Sequence, residues 1–284
     1  MERVARRADR SAVDRVARES ESKGSVGTLA RGLDILELFA FESCELTQKE
    51  ISETLGMPVA TVHRLTRLLI DRGWLVRDPT SRRLRLGLGV ARLVPALLLG
   101  LQLPDIAREH LRAMAGRTGE TVNLAVLHEG AVVYLVSETG SRLLTQRASI
   151  GLRLPVHCTA LGKCLLAQLG DDEARRTAGR QPYRALTART ITSWDGLLES
   201  LEQTRRDRVA LSREEYEEGL DSIAVPVAWV GGGGTAAVSV SLPSSRARGD
   251  AGAALTRDLR ATAAEIEAAA GISDGRGPAA GAVA

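Results

Sequence analysis

The sequence predicts an α+β chain with two domains, a small N-terminal group of helices closed by a hairpin and a larger mixed α/β domain. Apolar residues recur at helical spacing over residues 28 to 70 and are followed by two short strand-like runs separated by turn residues. Beyond residue 104, strand-like apolar runs alternate with amphipathic segments. A chain of 284 residues is long enough for two such domains.

The composition excludes several classes of protein. With 44% hydrophobic and 26% charged residues, the chain has the composition of an ordinary globular protein. Its three cysteines, Cys44, Cys158 and Cys164, have no paired spacing, which argues against a disulfide framework and against a structural zinc site. The N-terminus lacks the apolar segment of a signal peptide, and no run reaches the ~18 apolar residues of a membrane span. We therefore expect a cytoplasmic protein without membrane contact, bound metal or cofactor.

The N-terminal domain is predicted over residues 27–88, after a charged segment, residues 1–26, that we expect to be disordered. Its first helix begins near Thr28. The apolar residues of this helix lie largely on one side, which predicts a surface that faces the core. They are Leu29, Leu33, Ile35, Leu36 and Phe39.

The segment LTQKEI marks the start of a second helix. Thr47 can accept a hydrogen bond from the backbone of Glu50, and the Glu50 carboxylate can reach back to Thr47, which completes a capping box. Leu46 and Ile51 stand at the two positions of a hydrophobic staple. Gly56 is placed to end this helix, because glycine readily adopts the left-handed conformation of a C-cap.

A third helix is predicted only a few residues later, with Pro58 at its favoured first position. Two short strands, WLVRD and RRLRLG, follow and are joined by the breaker residues PTS. Three helices and a hairpin in this order are typical of a winged helix-turn-helix. On the third helix, one side carries Val59, Val62, Leu65 and Leu69, and the other carries Ala60, Thr61, His63, Arg64 and Arg67.

The larger domain is predicted over residues 104–271, after an apolar linker helix at residues 89–103 and before a flexible tail at residues 272–284. Its first predicted elements are a helix, a hairpin around HEG, and a loop that enters a helix at LPVHCTALGKCLLAQL. A helix over residues 193–206 follows, then a second hairpin across GGGG. The last predicted element is a closing helix at LTRDLRATAAEIEAAAG.

Positive charge is concentrated in the N-terminal domain. Residues 60–92 contain eight arginines against two aspartates, a local charge of +6 in a chain whose net charge is +3. A local basic surface on an otherwise balanced chain predicts a polyanionic partner for this region. The alternative is a solvated cationic face on an ordinary amphipathic helix, and for any one arginine that interpretation is favoured.

The combination of a capped helix, a tight turn, a proline-started helix and an arginine-rich hairpin favours DNA binding over a solvated surface. The third helix would enter the major groove, where Arg64 could bind a guanine and Thr61 and His63 could meet bases or phosphates. The arginines of the hairpin would bind phosphates or enter the minor groove. The full predicted DNA-binding set is Thr47, Ala60, Thr61, His63, Arg64, Arg67, Arg82, Arg83 and Arg85.

Several segments resemble one bacterial protein family. TLARGLDILELF, LTQKEISETLGMPVATVHRLTRLLIDRGWLVRD and RLRLG resemble the DNA-binding half of IclR-type transcriptional regulators. LRLPVHCTALGKCLLA, SREEYEEGLDSIAVPV and AAVSVSLPSSR resemble that family's effector-domain signatures, in the same order, so that the resemblance covers roughly residues 25–270. It implies a winged helix, a linker helix, a GAF-like α/β effector domain, and a homodimer or dimer of dimers that reads a palindromic operator in double-stranded DNA.

The resemblance also implies a cavity in the second domain for a small organic metabolite. A helix N-terminus enters this cavity, which suits a carboxylate. Carried over position by position, the effector-binding residues are Ala160, Leu161, Ser212, Ser222, Ser239 and Ser241, with Cys158 nearby. The sequence departs from the family pattern at Ser222, where cysteine is common, at Ser212, where an acidic residue is frequent, and at Leu161, where a smaller residue can occur. The bulkier and less charged wall disfavours the smallest oxoacids.

No catalytic residue is predicted, although one alternative is an enzyme in which residues 105–270 turn over a small acid and the basic region only tethers them. Cys158 adjoins His157, but neighbouring residues on an extended chain point to opposite faces, so a buried thiol is favoured over a nucleophile. GGGG lacks the Lys-Ser/Thr of a phosphate-binding loop, and EEYEEG lacks the alternating oxygen ligands of a calcium loop. Another alternative is a protein that binds nucleic acid without sequence preference.

Overall fold

The computed structural model describes residues 27–41, 45–93, 102–141, 151–229, 236–247 and 249–271. The chain divides into two compact units between Gly100 and Leu101. The predictions for the N-terminal segment, the tail and the GGGG run lie outside the described residues, as do Cys44 and most of the predicted linker helix. The domain boundaries given above therefore stay predictions.

The N-terminal unit, as far as the structure describes it, consists of three helices, a hairpin and one further helical turn. Their bounds are α1 Thr28–Phe41, α2 Gln48–Leu55, α3 Val59–Asp71, β1 Leu75–Arg77, β2 Leu84–Leu86 and α4 Leu88–Ala91. The two strands are antiparallel, with Leu75 opposite Leu86. Leu46 forms a bridge with Leu84, so the segment before α2 extends the hairpin. This is the predicted winged helix-turn-helix order.

The predicted capping box around α2 is confirmed. The hydroxyl of Thr47 accepts a hydrogen bond from the backbone N–H of Glu50 at 3.2 Å, and the Glu50 carboxylate accepts one from the backbone N–H of Thr47 at 2.6 Å. Gly56 is the C-cap with a φ of 60°. The prediction for Pro58 is wrong by one position, since its ψ of 135° places it outside the helix as the N-cap of α3.

One hydrophobic core joins α1, α2, α3 and the hairpin. It contains Ile35, Leu38, Phe39, Leu46, Ile51, Leu55, Met57, Val62, Leu65, Leu75 and Leu84. The prediction is wrong for Leu29, Leu33 and Val59, which are 78%, 49% and 56% exposed. Leu29 and Val59 lie in the first turn of their helices, and Leu33 lies one turn after Leu29. Helical periodicity includes all three, but the described residues leave their side chains largely uncovered.

The C-terminal unit is a six-stranded antiparallel sheet with helices on both faces. Its elements are α5 Leu103–Thr118, β3 Thr121–His128, β4 Ala131–Glu138, β5 Arg153–Pro155, α6 Ala160–Ala167, α7 Asp171–Ala178, α8 Trp194–Asp207, β6 Ala210–Arg213, β7 Leu220–Val227, β8 Ala236–Pro243 and α9 Asp250–Ala269. The strand order is β5-β4-β3-β8-β7-β6. Helices α5 and α9 pack on one face, and α6 and α8 pack on the other.

Three elements of this unit were not predicted: β5, β6 and α7. The two strands are only three and four residues long, too short to show an alternating pattern. Helix α7 is rich in charge and buries a single residue, Ala174, so it lacks the apolar stripe by which a helix is recognised. The α5 helix and the β3–β4 and β7–β8 hairpins are confirmed.

Strand register brings polar side chains together on the sheet face that α6 covers. Successive residues of a strand point to opposite faces, so residues two apart share a face. The first polar row consists of Ser212, Ser222, Ser241 and Thr121, which stand opposite one another across β6, β7, β8 and β3. The second polar row lies two residues further along the strands and consists of Ser239, Asn123 and Ser137 on β8, β3 and β4.

Candidate nucleic-acid interface and ligand cavity

A buried hydroxyl joins the two helices of the helix-turn-helix. Thr66 of α3 donates to the carbonyl oxygen of Val62 at 2.8 Å and accepts from Nε2 of Gln48, on α2, at 2.7 Å. Thr66 is completely buried, and the partly buried hydrogen bond from Gln48 ties α2 to α3. The opposite side of α3 is thereby held outward.

The outward face of α3 carries most of the predicted base-reading residues. Ala60, His63, Arg64 and Arg67 are exposed and Thr61 is half-buried. Within the described part of the chain, neither Arg64 nor Arg67 forms an ion pair or a side-chain hydrogen bond. Their guanidinium groups are therefore available to an anionic partner, and Arg64 lies in the N-terminal half of the helix, which reads bases in helix-turn-helix proteins.

The tip of the hairpin is held by a carboxylate. Asp78 accepts hydrogen bonds from the backbone N–H groups of Thr80 and Ser81 and from the Ser81 hydroxyl, at 2.9, 2.6 and 3.0 Å. These bonds, of which that from the Ser81 backbone is the strongest influence, hold the pKa of Asp78 below its usual value. Arg82 lies next to this ordered turn and Arg85 lies on β2, and both are exposed.

Arg83 differs from its two neighbours, because it binds within the protein. Its Nη2 donates to the carbonyl oxygen of Glu45 and to both carboxylate oxygens of Glu50, each at 3.1 Å. The hydrogen bond from the Thr47 backbone, with a further contribution from Arg83, lowers the pKa of Glu50. Arg83 therefore ties the hairpin to the capping box of α2. The Thr47 hydroxyl, also predicted to contact DNA, is already an acceptor in that box.

We expect Arg82→Ala and Arg83→Ala to behave differently. Arg82→Ala should weaken binding to all duplexes alike and reduce the slope of log affinity against log salt by about 1, because a phosphate contact is lost. Arg83→Ala should instead lower the free energy of unfolding by about 1 kcal/mol, since its partly exposed ion pair and hydrogen bond are lost. Thermal unfolding and salt titrations of DNA affinity separate the two effects. An Arg83→Ala protein of unchanged stability with a reduced salt slope would show that Arg83 is a phosphate contact.

A small ligand cavity lies where the N-terminus of α6 meets the first polar row. Five of the predicted effector-binding residues line it: Ala160, Leu161, Ser212, Ser222 and Ser241. Its volume is about 20 Å³, which has room for about one water molecule. A metabolite therefore requires the side chains of the wall to move apart. Cys158 and Ser239 are buried beside this cavity and do not line it in the present form.

The cavity also involves residues that sequence reasoning missed. They are Tyr134, Leu154, Thr159, Tyr216 and Leu220. Tyr134 and Leu154 come from β4 and β5, on the far side of β3 from the serines. No local pattern marks them, because only the strand order places them near α6. Thr159 could have been found, since a threonine before an apolar helical run is an N-cap signal.

The backbone of α6 lies very close to the loop that joins β5 to this helix. Thr159 caps this helix, accepting from the N–H of Gly162 at 3.0 Å and donating to the carbonyl oxygen of Pro155 at 2.9 Å. A Cβ at Gly162 would lie 2.2 Å from the carbonyl oxygen of Val156, so only glycine fits there. The first N–H groups of a helix have no partner within it, and those of Ala160 and Leu161 stand at the cavity wall as potential donors to an anion.

Hydroxyl groups line the polar side of the cavity. The hydroxyls of Ser222 and Ser241 lie 3.1 Å apart, within hydrogen-bond distance. The Ser212 hydroxyl donates to the carbonyl oxygen of Cys158 at 3.0 Å. The wall is thus rich in groups that can donate or accept, which suits a small polar or anionic ligand better than an apolar one.

A buried ion pair stands next to the cavity. Nζ of Lys163, on α6, lies 2.6 Å from Oε1 of Glu215, and Lys163 is only 2% exposed. Burial lowers the pKa of Lys163, and the neighbouring Glu215 carboxylate opposes that shift. The ion pair joins α6 to the turn after β6, which also carries Tyr216 of the cavity wall.

Cys158 has the environment of a structural thiol. Burial, with a further contribution from the negative charge of Glu215, raises its pKa far above the usual value, so the thiolate is disfavoured. His157 instead stacks on Tyr183, with ring centroids 5.2 Å apart. The described residues also contain no group of three or more side chains placed to hold a metal ion, and none of their helices is long and apolar enough to cross a membrane.

A larger groove of about 560 Å³ lies where the start of α9 meets β6 and β7. Two of its charged side chains are already paired, Arg189 with Glu214 at 3.2 Å and Asp221 with the Ser244 hydroxyl at 2.7 Å. It is somewhat more open than the smaller cavity, which is lined by the neighbouring hydroxyls of Ser222 and Ser241 and by a helix N-terminus. On this chemistry the smaller cavity is the better candidate for a specific ligand.

Two family descriptions match the chain. Residues 28–79 match the IclR helix-turn-helix domain, and residues 96–268 match the bacterial transcriptional regulator IclR C-terminal. Among curated proteins, the HTH-type transcriptional regulator XynR of Escherichia coli (strain K12) is 33% identical over 202 residues, which cover 71% of this chain and 80% of the relative.

Two solved structures share the architecture over most of the chain. An IclR transcriptional regulator from Alicyclobacillus acidocaldarius is 26% identical with a TM-score of 0.76, and the similarity covers 87% of this chain and 100% of the other. An IclR homologue from Microbacterium hydrocarbonoxydans, complexed with 4-hydroxybenzoate, is 27% identical with a TM-score of 0.73 and the same coverage. A helix-turn-helix unit followed by an α/β unit is therefore common to all three.

Proposed function

Because this chain belongs to the IclR family of bacterial transcriptional regulators, we propose that it reads a palindromic operator with α3 and that a small organic acid in the ligand cavity changes this binding. Family membership establishes a regulator with a helix-turn-helix DNA-binding domain and an effector-binding C-terminal domain. The operator symmetry, the oligomer, the residue roles and the effector class are the proposal. Such a protein acts in the cytoplasm, where DNA and metabolites meet.

The proposed DNA-binding role rests on the unpaired cations on one side of α3. Arg64 and Arg67 face outward with no partner in the described chain, while Val62 and Leu65 anchor the other side in the core. An α-helix fits the major groove, and an arginine can bind the two acceptors of a guanine. Arg64, Thr61 and His63 then read bases, and Arg82 and Arg85 bind phosphates.

We propose that the protein acts as a homodimer or a dimer of dimers. A two-fold axis would present two α3 helices to half-sites about one turn of DNA apart. Because both helices must fit at once, a small change in their separation would weaken binding. An effector that favours one separation thereby changes operator affinity without touching DNA.

The effector half rests on the chemistry of the ligand cavity. The hydroxyls of Ser222 and Ser241 line the same cavity as the start of α6, whose first N–H groups have no partner within the helix, and this combination suits a carboxylate. The relative from Microbacterium hydrocarbonoxydans binds 4-hydroxybenzoate, a small aromatic acid. We therefore assign a small carboxylic acid as the effector class of this chain, with 4-hydroxybenzoate as a first compound to test.

Selection of genomic fragments by the purified full-length protein tests the proposal. We expect enrichment of a short palindromic site, protection of that site in a footprint, and an affinity at least about 1,000-fold above that for scrambled duplexes at physiological salt. Adding candidate acids to the bound complex then identifies compounds that change the footprint or the affinity.

A protein that lacks residues 1–93 is the matched control, because it retains the ligand cavity without α3. It should select no fragment. Equal affinity and equal salt dependence on selected and scrambled duplexes would contradict a sequence-reading function and favour non-specific binding. Consumption of an added acid by the full-length protein would instead support the enzyme alternative.

A further inference from the structure

Four buried oxygens beside the ligand cavity have no hydrogen-bond partner among the residues that the structure describes. They are Thr121 Oγ1, Asn123 Oδ1, Ser137 Oγ and Ser239 Oγ. Asn123 is 2% exposed and Ser239 is 1% exposed. Buried polar atoms are nearly always satisfied in proteins, and each unsatisfied one costs free energy. Four on one sheet face therefore require an explanation that a single one would not.

Strand order places these oxygens along one continuous surface. Asn123 stands opposite Ser239 on β8 and opposite Ser137 on β4, so these three form the second polar row. Thr121 stands opposite Ser241 and belongs to the first polar row, which lines the ligand cavity. The unpaired oxygens thus continue the polar wall of the cavity toward the middle of the sheet.

The cavity spans the strand that carries Asn123. One of its walls is formed by Ser222 and Ser241 on β7 and β8, and another by Tyr134 and Leu154 on β4 and β5. Strand β3 lies between β8 and β4. Ser241 stands opposite Thr121, and Tyr134 stands opposite Ala125. The β3 residues on this face between those two levels are Thr121, Asn123 and Ala125, so a ligand that reaches from the serines to Tyr134 passes over the strand at Asn123.

This geometry specifies a ligand with two separated polar ends. A carboxylate at the start of α6 would lie against the first polar row. The second polar row is two residues further along the strands, about 6–7 Å away. The amide of Asn123 can both donate and accept, and the Ser239 hydroxyl can do the same, so a hydroxyl or a carbonyl oxygen would satisfy them.

On the basis of the proposed function, we propose that the effector is a small monocarboxylic acid with a hydroxyl or carbonyl oxygen at its far end. Asn123, together with Ser239, selects this second polar group. The apolar middle of such a ligand would pack against the side chains of Leu161 and Leu220, which line the present cavity. An acid without the distal oxygen leaves the buried polar atoms unpaired and binds more weakly.

Calorimetric titration of the full-length protein, without DNA, tests this selectivity with two matched pairs of acids. The pairs are pentanoate with 5-hydroxypentanoate, and cyclohexanecarboxylate with trans-4-hydroxycyclohexanecarboxylate. In each pair we expect the distal hydroxyl to increase affinity about tenfold, as one additional buried hydrogen bond would. 2-Hydroxypentanoate, whose hydroxyl adjoins the carboxylate, should gain nothing from Asn123.

Asn123→Leu removes the amide and keeps its shape. We expect it to reduce the tenfold preference to about onefold while leaving the affinity for pentanoate within about twofold. The matched control is Thr262→Val, because Thr262 Oγ1 is also buried without a partner among the described residues but lies on α9, on the opposite face of the sheet. Thr262→Val should keep the full preference. Ser239→Ala tests the same row with a smaller change if Asn123→Leu fails to fold.

Equal affinities within both pairs, or no binding of any of these acids, would overturn the assignment. A preference that survives both Asn123→Leu and Ser239→Ala would also overturn it, since the distal group would then be recognised elsewhere. None of these results bears on operator recognition, which the fragment selection measures by itself. Conversely, a protein that selects no operator can still show or lack the distal-hydroxyl preference.

Discussion

Replacing Arg64 by alanine should reduce affinity for the selected operator by about 1–3 kcal/mol, or roughly 5- to 150-fold. The physical reason is the loss of an arginine that faces outward near the start of α3 and has no partner in the described chain. A base contact is specific, so the variant should also lose discrimination at one base pair of each half-site. Fluorescence anisotropy at fixed salt, with operators altered one base pair at a time, measures both effects.

Arg72→Ala is the matched control for this experiment. Arg72 is also exposed, but it is the C-cap of α3 and lies two helical turns beyond Arg64. The Arg72→Ala variant should bind every duplex somewhat more weakly, with the same loss for each sequence. That loss should be smaller than the loss of operator affinity in Arg64→Ala. If Arg64→Ala and Arg72→Ala reduce affinity equally and neither changes sequence preference, Arg64 does not contact a base.

Lys163→Met should lower the free energy of unfolding by about 3–5 kcal/mol, because it leaves the Glu215 carboxylate buried without its cation. The pair lies at 2.6 Å beside the ligand cavity, and neither side chain is more than 11% exposed. The double variant Lys163→Met, Glu215→Leu removes both charges together and should recover most of the loss, since well-packed apolar groups often replace a buried ion pair at little cost. Chemical denaturation of each full-length variant measures these differences.

The exposed pair of Lys49 and Glu53 supplies the control. Its atoms lie 3.7 Å apart and its side chains are 82% and 65% exposed, so Lys49→Met should leave the unfolding free energy almost unchanged. A similar small effect for Lys163→Met would mean that water reaches Glu215 when the cation is removed. A double variant no more stable than Lys163→Met alone would show that the packing of the lysine chain, rather than the charge, is what stabilises the unit.

Features set by neighbours a few residues apart could be predicted correctly. The capping box of Thr47 and Glu50 and the left-handed Gly56 are local arrangements, and both are confirmed. The burial of Val62 and Leu65 follows from helical periodicity alone. Pro58 shows the precision limit of such reasoning, since its fixed φ suits both the N-cap and the first helical position and only ψ distinguishes them.

Features that depend on distant partners could not be predicted. Arg83 looked like its neighbours Arg82 and Arg85, yet its guanidinium binds Glu50, 33 residues away. Leu29 and Leu33 fit the apolar stripe of α1, but the described residues of the unit leave them largely uncovered. In each case the residue type and its spacing are compatible with several environments, and the choice between them is made by other parts of the chain.

The amino-acid sequence by itself therefore determined the helix-turn-helix order, the outward cationic face of α3 and the family, because helix caps, periodicity and motif order are all properties of contiguous residues. Only the tertiary structure decided the size of the ligand cavity and which residues line it or lie beside it. In the sequence, Asn123 is simply a polar residue of a predicted strand. The pairing of β3 with β4 and β8 places it beside Ser137 and Ser239. Such register is a relation between strands far apart in the chain, and no local pattern encodes it.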